Sequence, residues 1–251
     1  IMHNGINTGS VFGHIFDFSN MPAATRAILA LLVCILFTTV FSCIAGFFMA
    51  RFKMHPFIST MANMLIIFGL VTYATKGVSF GAIDAAIPNM FIPQIGSFPT
   101  IILWAVVAIV VVWFIWNKTT FGKNMFAVGS NPEAANVSGV NVMRTTILVH
   151  TLAGCMYGIT GFIESARIGS NQANTGLNYE CDAIAACVIG GVSFVGGTGK
   201  ISGVVLGVFI LRIIFVALQF LAVSQNMQYV IKGLIILIAC AIDMRKYLVR
   251  K

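Results

Sequence analysis

The sequence predicts an all-α fold, a polytopic transmembrane helical bundle, on two observations. The first is composition: 59% of the 251 residues are hydrophobic, only 9% are charged, and the mean hydropathy is +0.96. Soluble domains typically carry about 25% charged residues, so a surface this poor in charge favours lipid over water as its solvent. The second observation is that the apolar residues fall into long segments separated by short polar ones.

Six of these segments are expected to cross the membrane, because a spanning helix needs about 20 predominantly apolar residues. Arg51 and Lys53 end the first segment, and Pro56 suits the opening turn of the second. Residues 76–99 are rich in Gly and Pro and are predicted as an irregular external loop. Tryptophans lie near both ends of the third segment, where indole rings favour the membrane interface. The six segments are 27–50, 56–75, 101–116, 146–163, 201–221 and 229–242.

A seventh span, short or broken, is predicted over residues 183–195. If this segment crosses, ten Lys and Arg residues fall on one side of the membrane and three on the other, as expected for basic cytoplasmic loops. If it does not cross, the asymmetry largely disappears. Non-helical backbone at membrane depth is tolerated only where protein covers it or water reaches it. The segment is therefore either part of a transport pathway or a tilted span packed by small residues.

Three parts of the chain are expected. Residues 1–26 are interpreted as the external N-terminal segment of a truncated chain, since the sequence begins with Ile1 and shows no signal peptide. Residues 27–243 form the transmembrane domain, and residues 244–251 form a basic cytoplasmic tail. The six cysteines lie mostly in apolar runs, so we expect core residues rather than disulfides or a metal site. No catalytic residues are predicted.

The inner loop, about 117–144, is expected to carry a short capped helix. Asn131 suits the N-cap and Pro132 the first helical position, and the helix dipole favours the negative charge of Glu133. Gly139 can end the helix. The residues alone fit a docking surface for a cytoplasmic protein and a capped turn without a partner equally well. The candidate docking residues are Asn131, Pro132, Glu133, Ala134, Ala135, Ser138 and Gly139.

Several separated blocks of the sequence resemble the permease subunits of ribose/galactose-type ABC importers. The blocks occur in the order found in that family, and the resemblance runs from about Pro22 to the C-terminus. It is carried by the inner loop 117–142, by segments 164–170 and 179–197, and by the closing segments 228–233 and 242–246.

This resemblance implies a transport subunit rather than an enzyme. The subunit would move a monosaccharide, such as galactose or a methyl-galactoside, across a bacterial inner membrane into the cytoplasm. Two copies of the permease would form the pathway, and a periplasmic sugar-binding protein would deliver the sugar. ABC ATPase subunits would dock on the inner loop at residues 131–139 and would bind the ATP, so this chain would carry no cofactor. Nucleic acid is not an expected partner.

Polar residues after the fourth span are the candidate substrate pathway or gate. A sugar is neutral and rich in hydroxyl groups, so its passage needs hydrogen-bonding groups and little fixed charge. Arg167 is expected to pair with one of the carboxylates. A polar loop that only touches the binding protein fits the same residues equally well. The candidates are Glu164, Arg167, Asn171, Asn178, Glu180 and Asp182.

An ion-coupled secondary transporter is the alternative class, and it would need ionisable groups at membrane depth. The candidates are His150, Arg212 and Lys232. Arg212 is expected to pair with Glu164 or Asp182, or to extend its guanidinium group to the interface. Membrane-enzyme motifs such as HExxH and GxSxG are absent from the sequence.

Residues 196–200 resemble the end of a phosphate-binding loop. Phe194 stands where that motif needs its first glycine, and Ile201 where it needs Ser or Thr. We therefore expect a tight cytoplasmic turn here, and no ATP binding by this chain.

Overall fold

The computed structural model describes residues 22–78, 83, 86–95 and 98–248. Most of the expected external N-terminal segment, residues 1–21, lies outside the described residues, as do residues 249–251 of the expected basic tail. The helices are α1 (Ala23–Phe52), α2 (Pro56–Thr75), α3 (Ala86–Phe91), α4 (Ile101–Lys118), α5 (Thr120–Ser130), α6 (Pro132–Val137), α7 (Val142–Ile168), α8 (Tyr179–Ile189), α9 (Ile201–Phe220) and α10 (Gln225–Leu248). A two-residue ribbon joins β1 (Gln94–Ile95) to β2 (Phe98–Pro99), with Gln94 opposite Pro99.

Six helices in the described part of the chain are long and apolar enough to span a membrane. They are α1, α2, α4, α7, α9 and α10. Each coincides with one of the six predicted segments, which confirms the all-α, polytopic prediction. Most extend a few residues beyond the apolar core of the segment, because helical hydrogen bonding continues into the flanking polar residues. The last helix continues to Leu248, into the segment expected as the basic tail.

Many large apolar side chains lie exposed on the surface of the chain, in keeping with its high content of hydrophobic residues. No residue of α4 is buried within the chain, and Leu36, Leu65 and Ile213 are all more than half exposed. A water-soluble protein rarely exposes such a continuous apolar surface. In a membrane, lipid chains contact these side chains, so the side chains do not need to be buried inside the protein.

The short segment 183–195 is helical only as far as Ile189, where it forms the second part of α8, an 11-residue helix that begins earlier, at Tyr179. At 1.5 Å per residue this helix is about 16 Å long, whereas the hydrocarbon layer is about 30 Å thick. The helix ends at Ile189 with Gly190 as its C-cap, and a glycine-rich turn follows. The predicted short helix is thus present, and its crossing of the membrane stays a prediction.

The chain divides into two compact units. The first comprises Ile1–Ala108 with Asn141–Thr175, and the second comprises Ile109–Val140 with Gly176–Lys251.

In the first unit, α1 packs along α7 with almost no side chain between the two backbones. A methyl group added at Gly158 would lie 2.5 Å from Cα of Ile35, and one added at Gly154 would lie 2.7 Å from Cα of Thr39. Small residues four apart allow such approach between membrane helices. The hydroxyl of Thr38 donates a hydrogen bond to the carbonyl of Gly154 at 2.8 Å, and this bond links the two helices where they cross.

In the second unit, α8 packs against α9 and α10. A methyl group added at Gly207 would lie 2.8 Å from the backbone nitrogen of Gly190, so the end of α8 touches the α9 backbone directly. A small apolar cluster completes the contact, made of Ala185, Ala186, Leu211 and Phe215.

Replacing Gly158 by leucine should weaken the first unit, because the added side chain meets the backbone of α1. Overpacking costs about 1–3 kcal/mol, so we expect a lower unfolding temperature in detergent, followed by circular dichroism. Gly161→Leu is the matched control, since nothing lies within 4 Å of a methyl group at Gly161 on the same helix. Equal unfolding temperatures for the two variants would contradict the close packing of α1 and α7.

Candidate functional site

The inner loop forms two helices, α5 and α6, of which the sequence predicts the second. The Asn131 side-chain oxygen accepts hydrogen bonds from the backbone N–H groups of Glu133 at 2.9 Å and Ala134 at 3.1 Å. Pro132 occupies the first helical position, and Glu133 lies in the first turn. The predicted N-cap is confirmed. It satisfies backbone donors that a six-residue helix otherwise leaves unpaired.

Gly139 ends α6, as predicted. Its φ of +84° lies in the left-handed region, which glycine adopts at little steric cost. The N–H of Gly139 donates to the carbonyl of Asn136 and that of Val140 to the carbonyl of Ala135, both at 3.0 Å. This is the hydrogen-bond pattern of a Schellman motif. Both ends of α6 are therefore fixed by local bonds.

The surface of α6 is almost entirely open. Among residues 131–139 only Ala135 is buried, at 4% exposure, while Val137 is 89% exposed. Glu133 is exposed near the start of the helix. The helix therefore presents the carboxylate of Glu133 and the apolar side chains of Ala134 and Val137 on an exposed surface, and its docking role stays a prediction.

In the first unit, Glu164 and Arg167 form a bidentate ion pair. The Arg167 guanidinium donates through Nε to Oε2 at 2.8 Å and through Nη2 to Oε1 at 2.6 Å. Arg167 therefore does pair with a nearby carboxylate. The helix that carries both residues, α7, ends at Gly169, and Asn171 lies partly buried two residues beyond.

In the second unit, Asn178, Glu180 and Asp182 lie at the start of α8. Asn178 has a φ of +68° and makes no side-chain cap, a backbone conformation that asparagine tolerates better than most residues. Glu180 and Asp182 occupy the first turn, where the helix dipole favours negative charge.

Asp182 forms an ion pair with Lys232 of α10. The Nζ–Oδ1 distance is 2.5 Å, and the lysine side chain is 14% exposed and that of the aspartate 36%. The lysine ammonium also lies 5.2 Å from the ring centroid of Phe215 and 5.6 Å from that of Tyr229. An aromatic face attracts a cation at such distances.

Of the alternatives given for Arg212, pairing with a carboxylate is not seen among the described residues, because Glu164 pairs with Arg167 and Asp182 with Lys232; extension of the guanidinium group to the interface stays a prediction. Arg212 itself lies exposed in the middle of α9. The sequence marks Lys232 as an ionisable group at membrane depth but does not identify its partner. The two residues are 50 positions apart, and only the folded unit brings them together. Ionisable residues within spans usually pair, and this rule could have suggested the combination.

Two of the candidate gate carboxylates are each paired with a cation, Glu164 with Arg167 and Asp182 with Lys232. Glu164, Arg167 and Asn171 lie in the first unit, and Asn178, Glu180 and Asp182 lie in the second. Across the described ranges, no group of three or more His, Cys, Asp or Glu side chains could hold a metal ion.

Residues 196–200 form a turn, as predicted. The N–H of Ser193 donates to the carbonyl of Thr198 at 3.1 Å, and the N–H of Gly196 to the carbonyl of Ser193 at 3.3 Å. The sequence does not predict that Asp243 in α10 holds this turn in place. Its Oδ2 accepts hydrogen bonds from the Ser193 hydroxyl at 3.0 Å and from the Phe194 N–H at 2.9 Å.

Residues 6–240 match the family model described as "Branched-chain amino acid transport system / permease component". The chain is 45% identical over 261 residues to the galactose/methyl galactoside import permease protein MglC of Treponema pallidum, covering 100% of this chain and 49% of the relative. It is 42% identical over 242 residues to the protein of that name from Escherichia coli, covering 93% and 71%. Identity to the ribose import permease protein RbsC of Bacillus subtilis is 37% over 206 residues, covering 80% and 63%. No solved structure matches the chain significantly.

Proposed function

We propose that this chain, which belongs to the family of branched-chain amino acid transport system permease components, is the membrane permease subunit of an ABC importer for a galactose-type sugar. The observation that carries the proposal is identity of 42–45% to galactose/methyl galactoside import permeases over 93–100% of this chain. Identity to an arabinose permease is 39% and covers only 80% of the chain. The family description names amino acids, but the similar relatives are named for sugars.

ATP hydrolysis belongs to a partner ATPase in this proposal. The turn at 196–200 lacks the serine or threonine of a phosphate-binding loop, since Ile201 follows Lys200. ATPase subunits would dock on α6, whose fixed ends and open surface suit the transfer of a push from one protein to another. A second copy of the permease and a periplasmic sugar-binding protein would complete the importer in the bacterial inner membrane.

The gate in this proposal includes the residues around the start of α8. Asn178 offers an amide group that exchanges hydrogen bonds with sugar hydroxyls as readily as water does. The Asp182 carboxylate keeps its paired Lys232 ammonium. Glu180 adds an acceptor in the first turn of the same helix. Weak, replaceable hydrogen bonds favour release of the sugar as well as its entry.

Reversing the charge at Glu133 should impair docking of the ATPase without affecting membrane insertion. We expect about tenfold weaker ATPase co-purification for Glu133→Lys, corresponding to about 1.4 kcal/mol at the interface, and a smaller loss for Glu133→Gln. Gly139→Leu should act similarly, because leucine strains a turn at φ +84°. Gly69→Leu is the matched glycine control, since it adds the same side chain in open space. Normal docking and uptake in both the Glu133→Lys and Gly139→Leu variants would remove α6 from the mechanism.

Changing the start of α8 should reduce sugar uptake while ATP hydrolysis continues. Asn178→Gly removes the amide but keeps the left-handed backbone, and Asp182→Asn leaves Lys232 without its partner. We expect each to lower uptake several-fold with hydrolysis stimulated by the binding protein retained. The double variant Asp182→Asn/Lys232→Gln tests whether charge balance alone restores uptake.

The same measurements discriminate the gate from a docking surface. Loss of stimulated hydrolysis together with weaker attachment of the binding protein would assign these residues to a contact surface instead. Unchanged uptake and hydrolysis in both single variants would exclude them from the gate.

A further inference from the structure

The turn formed by residues 193–199, called here the glycine turn, joins three helices of the second unit. It follows α8 after three residues, 190–192, and backbone bonds of these connecting residues tie the start of the turn to that helix. The N–H of Gly191 donates to the carbonyl of Val188 and that of Val192 to the carbonyl of Cys187, both at 2.9 Å. A movement of the glycine turn is therefore transmitted to the end of α8.

The same turn is fixed to α10 by Asp243. One carboxylate oxygen accepts from both the Ser193 hydroxyl and the Phe194 N–H, and hydrogen bonds to a charged acceptor are stronger than neutral ones. The Ser193 hydroxyl also accepts from the N–H of Val195 at 3.2 Å. The turn is thus held to α10 by a side chain from within that helix.

The third attachment is steric, and it leads to α6. A methyl group added at Gly129 in α5 would lie 2.9 Å from the backbone nitrogen of Gly197, and one added at Gly196 would lie 2.5 Å from the carbonyl oxygen of Gly129. The atoms in contact belong to the backbone, so neither side can yield by changing a rotamer. Two residues after Gly129, the N–H of Asn131 donates to the carbonyl of Ala127 at 3.1 Å, so the last turn of α5 continues into the N-cap of α6.

These contacts place the glycine turn between the surface proposed for the ATPase and the helices that carry Asp182 and Lys232. Close-packed interiors transmit a displacement because they hold no free volume to absorb it. A displacement of α6 is passed to the turn at Gly129. The turn passes it on to α10 through Asp243 and to α8 through Val192.

We propose that the glycine turn is an internal coupling element, in which Gly129, Gly197 and Asp243 transmit displacement of α6 to α8 and α10 during the transport cycle. The proposal rests on the proposed function, since it assumes that an ATPase moves α6. It assigns these three residues a positioning role, and none of them contacts the sugar.

Two variants test the coupling, and each acts on a different contact. Gly129→Ala inserts one methyl group against the backbone of the turn, and Gly233→Ala is its matched control because the same methyl group in α10 meets nothing within 4 Å. Asp243→Ala removes the acceptor shared by Ser193 and Phe194. The full-length permease is reconstituted with its ATPase and binding protein, and sugar uptake, ATP hydrolysis and ATPase attachment are measured together.

The expected result is uncoupling. Gly129→Ala and Asp243→Ala should bind the ATPase and hydrolyse ATP in response to binding protein, while the sugar moved per ATP falls about tenfold, within the usual range of coupling between sites. Gly233→Ala should behave as the parent protein. If either variant fails to fold, Ser193→Ala, which removes the hydroxyl's bonds to Asp243 and Val195 and adds no bulk, should show the same uncoupling to a smaller degree.

Other outcomes overturn the proposal. Unchanged sugar per ATP in Gly129→Ala, Asp243→Ala and the substitute Ser193→Ala would show that the turn is static packing. Loss of ATPase attachment would show that it only shapes the docking surface. In either case the parent protein still transports, so the proposed function stands. Failure of the parent protein itself to bind an ATPase would instead overturn the proposed function and this inference together.

Discussion

Direct contact between helix backbones at glycine is the interaction on which the rest of this structure depends. Lipid solvates an apolar side chain as well as a neighbouring helix does, so the hydrophobic effect gives membrane helices little reason to associate. Glycine has no side chain, so two helices that cross at a glycine can come into close van der Waals contact. In the first unit, Gly154 and Gly158 allow α7 to pack closely against α1. In the second unit, Gly190 and Gly207 allow the end of α8 to pack closely against α9.

Hydroxyl groups and ion pairs then fix the register of helices that glycine brings together. Ser42 donates to the carbonyl of His150 at 2.7 Å, beside the crossing of α1 and α7. In the second unit, Lys232 joins α10 to α8 through Asp182. Because the end of α8 is held against α9, the turn that follows it has a defined position, and Asp243 can reach it from α10. These contacts connect α8, α9, α10 and the turn within the second unit.

The features that the sequence predicts are those with local causes. The six spans follow from hydropathy over about 20 residues, and the caps of α6 follow from bonds between residues two to five positions apart. Helix α5 is missed because Gly122 and Gly129 weaken its pattern, although both glycines are needed where another backbone segment approaches. The pairs Asp182–Lys232 and Ser193–Asp243 each join residues 50 positions apart. No local pattern specifies such pairs, since packing alone brings them into contact.

The energy source of transport is the most direct test of this account. Proteoliposomes would contain the full-length permease with its ATPase, would receive the sugar-binding protein on the outer side, and would be loaded inside with ATP or with a non-hydrolysable analogue. Uptake of labelled galactose is then measured with and without a proton or sodium gradient. The account predicts uptake that requires hydrolysable ATP and the binding protein and does not respond to either gradient. Uptake driven by a gradient in the absence of ATP would contradict it and would identify an ion-coupled transporter.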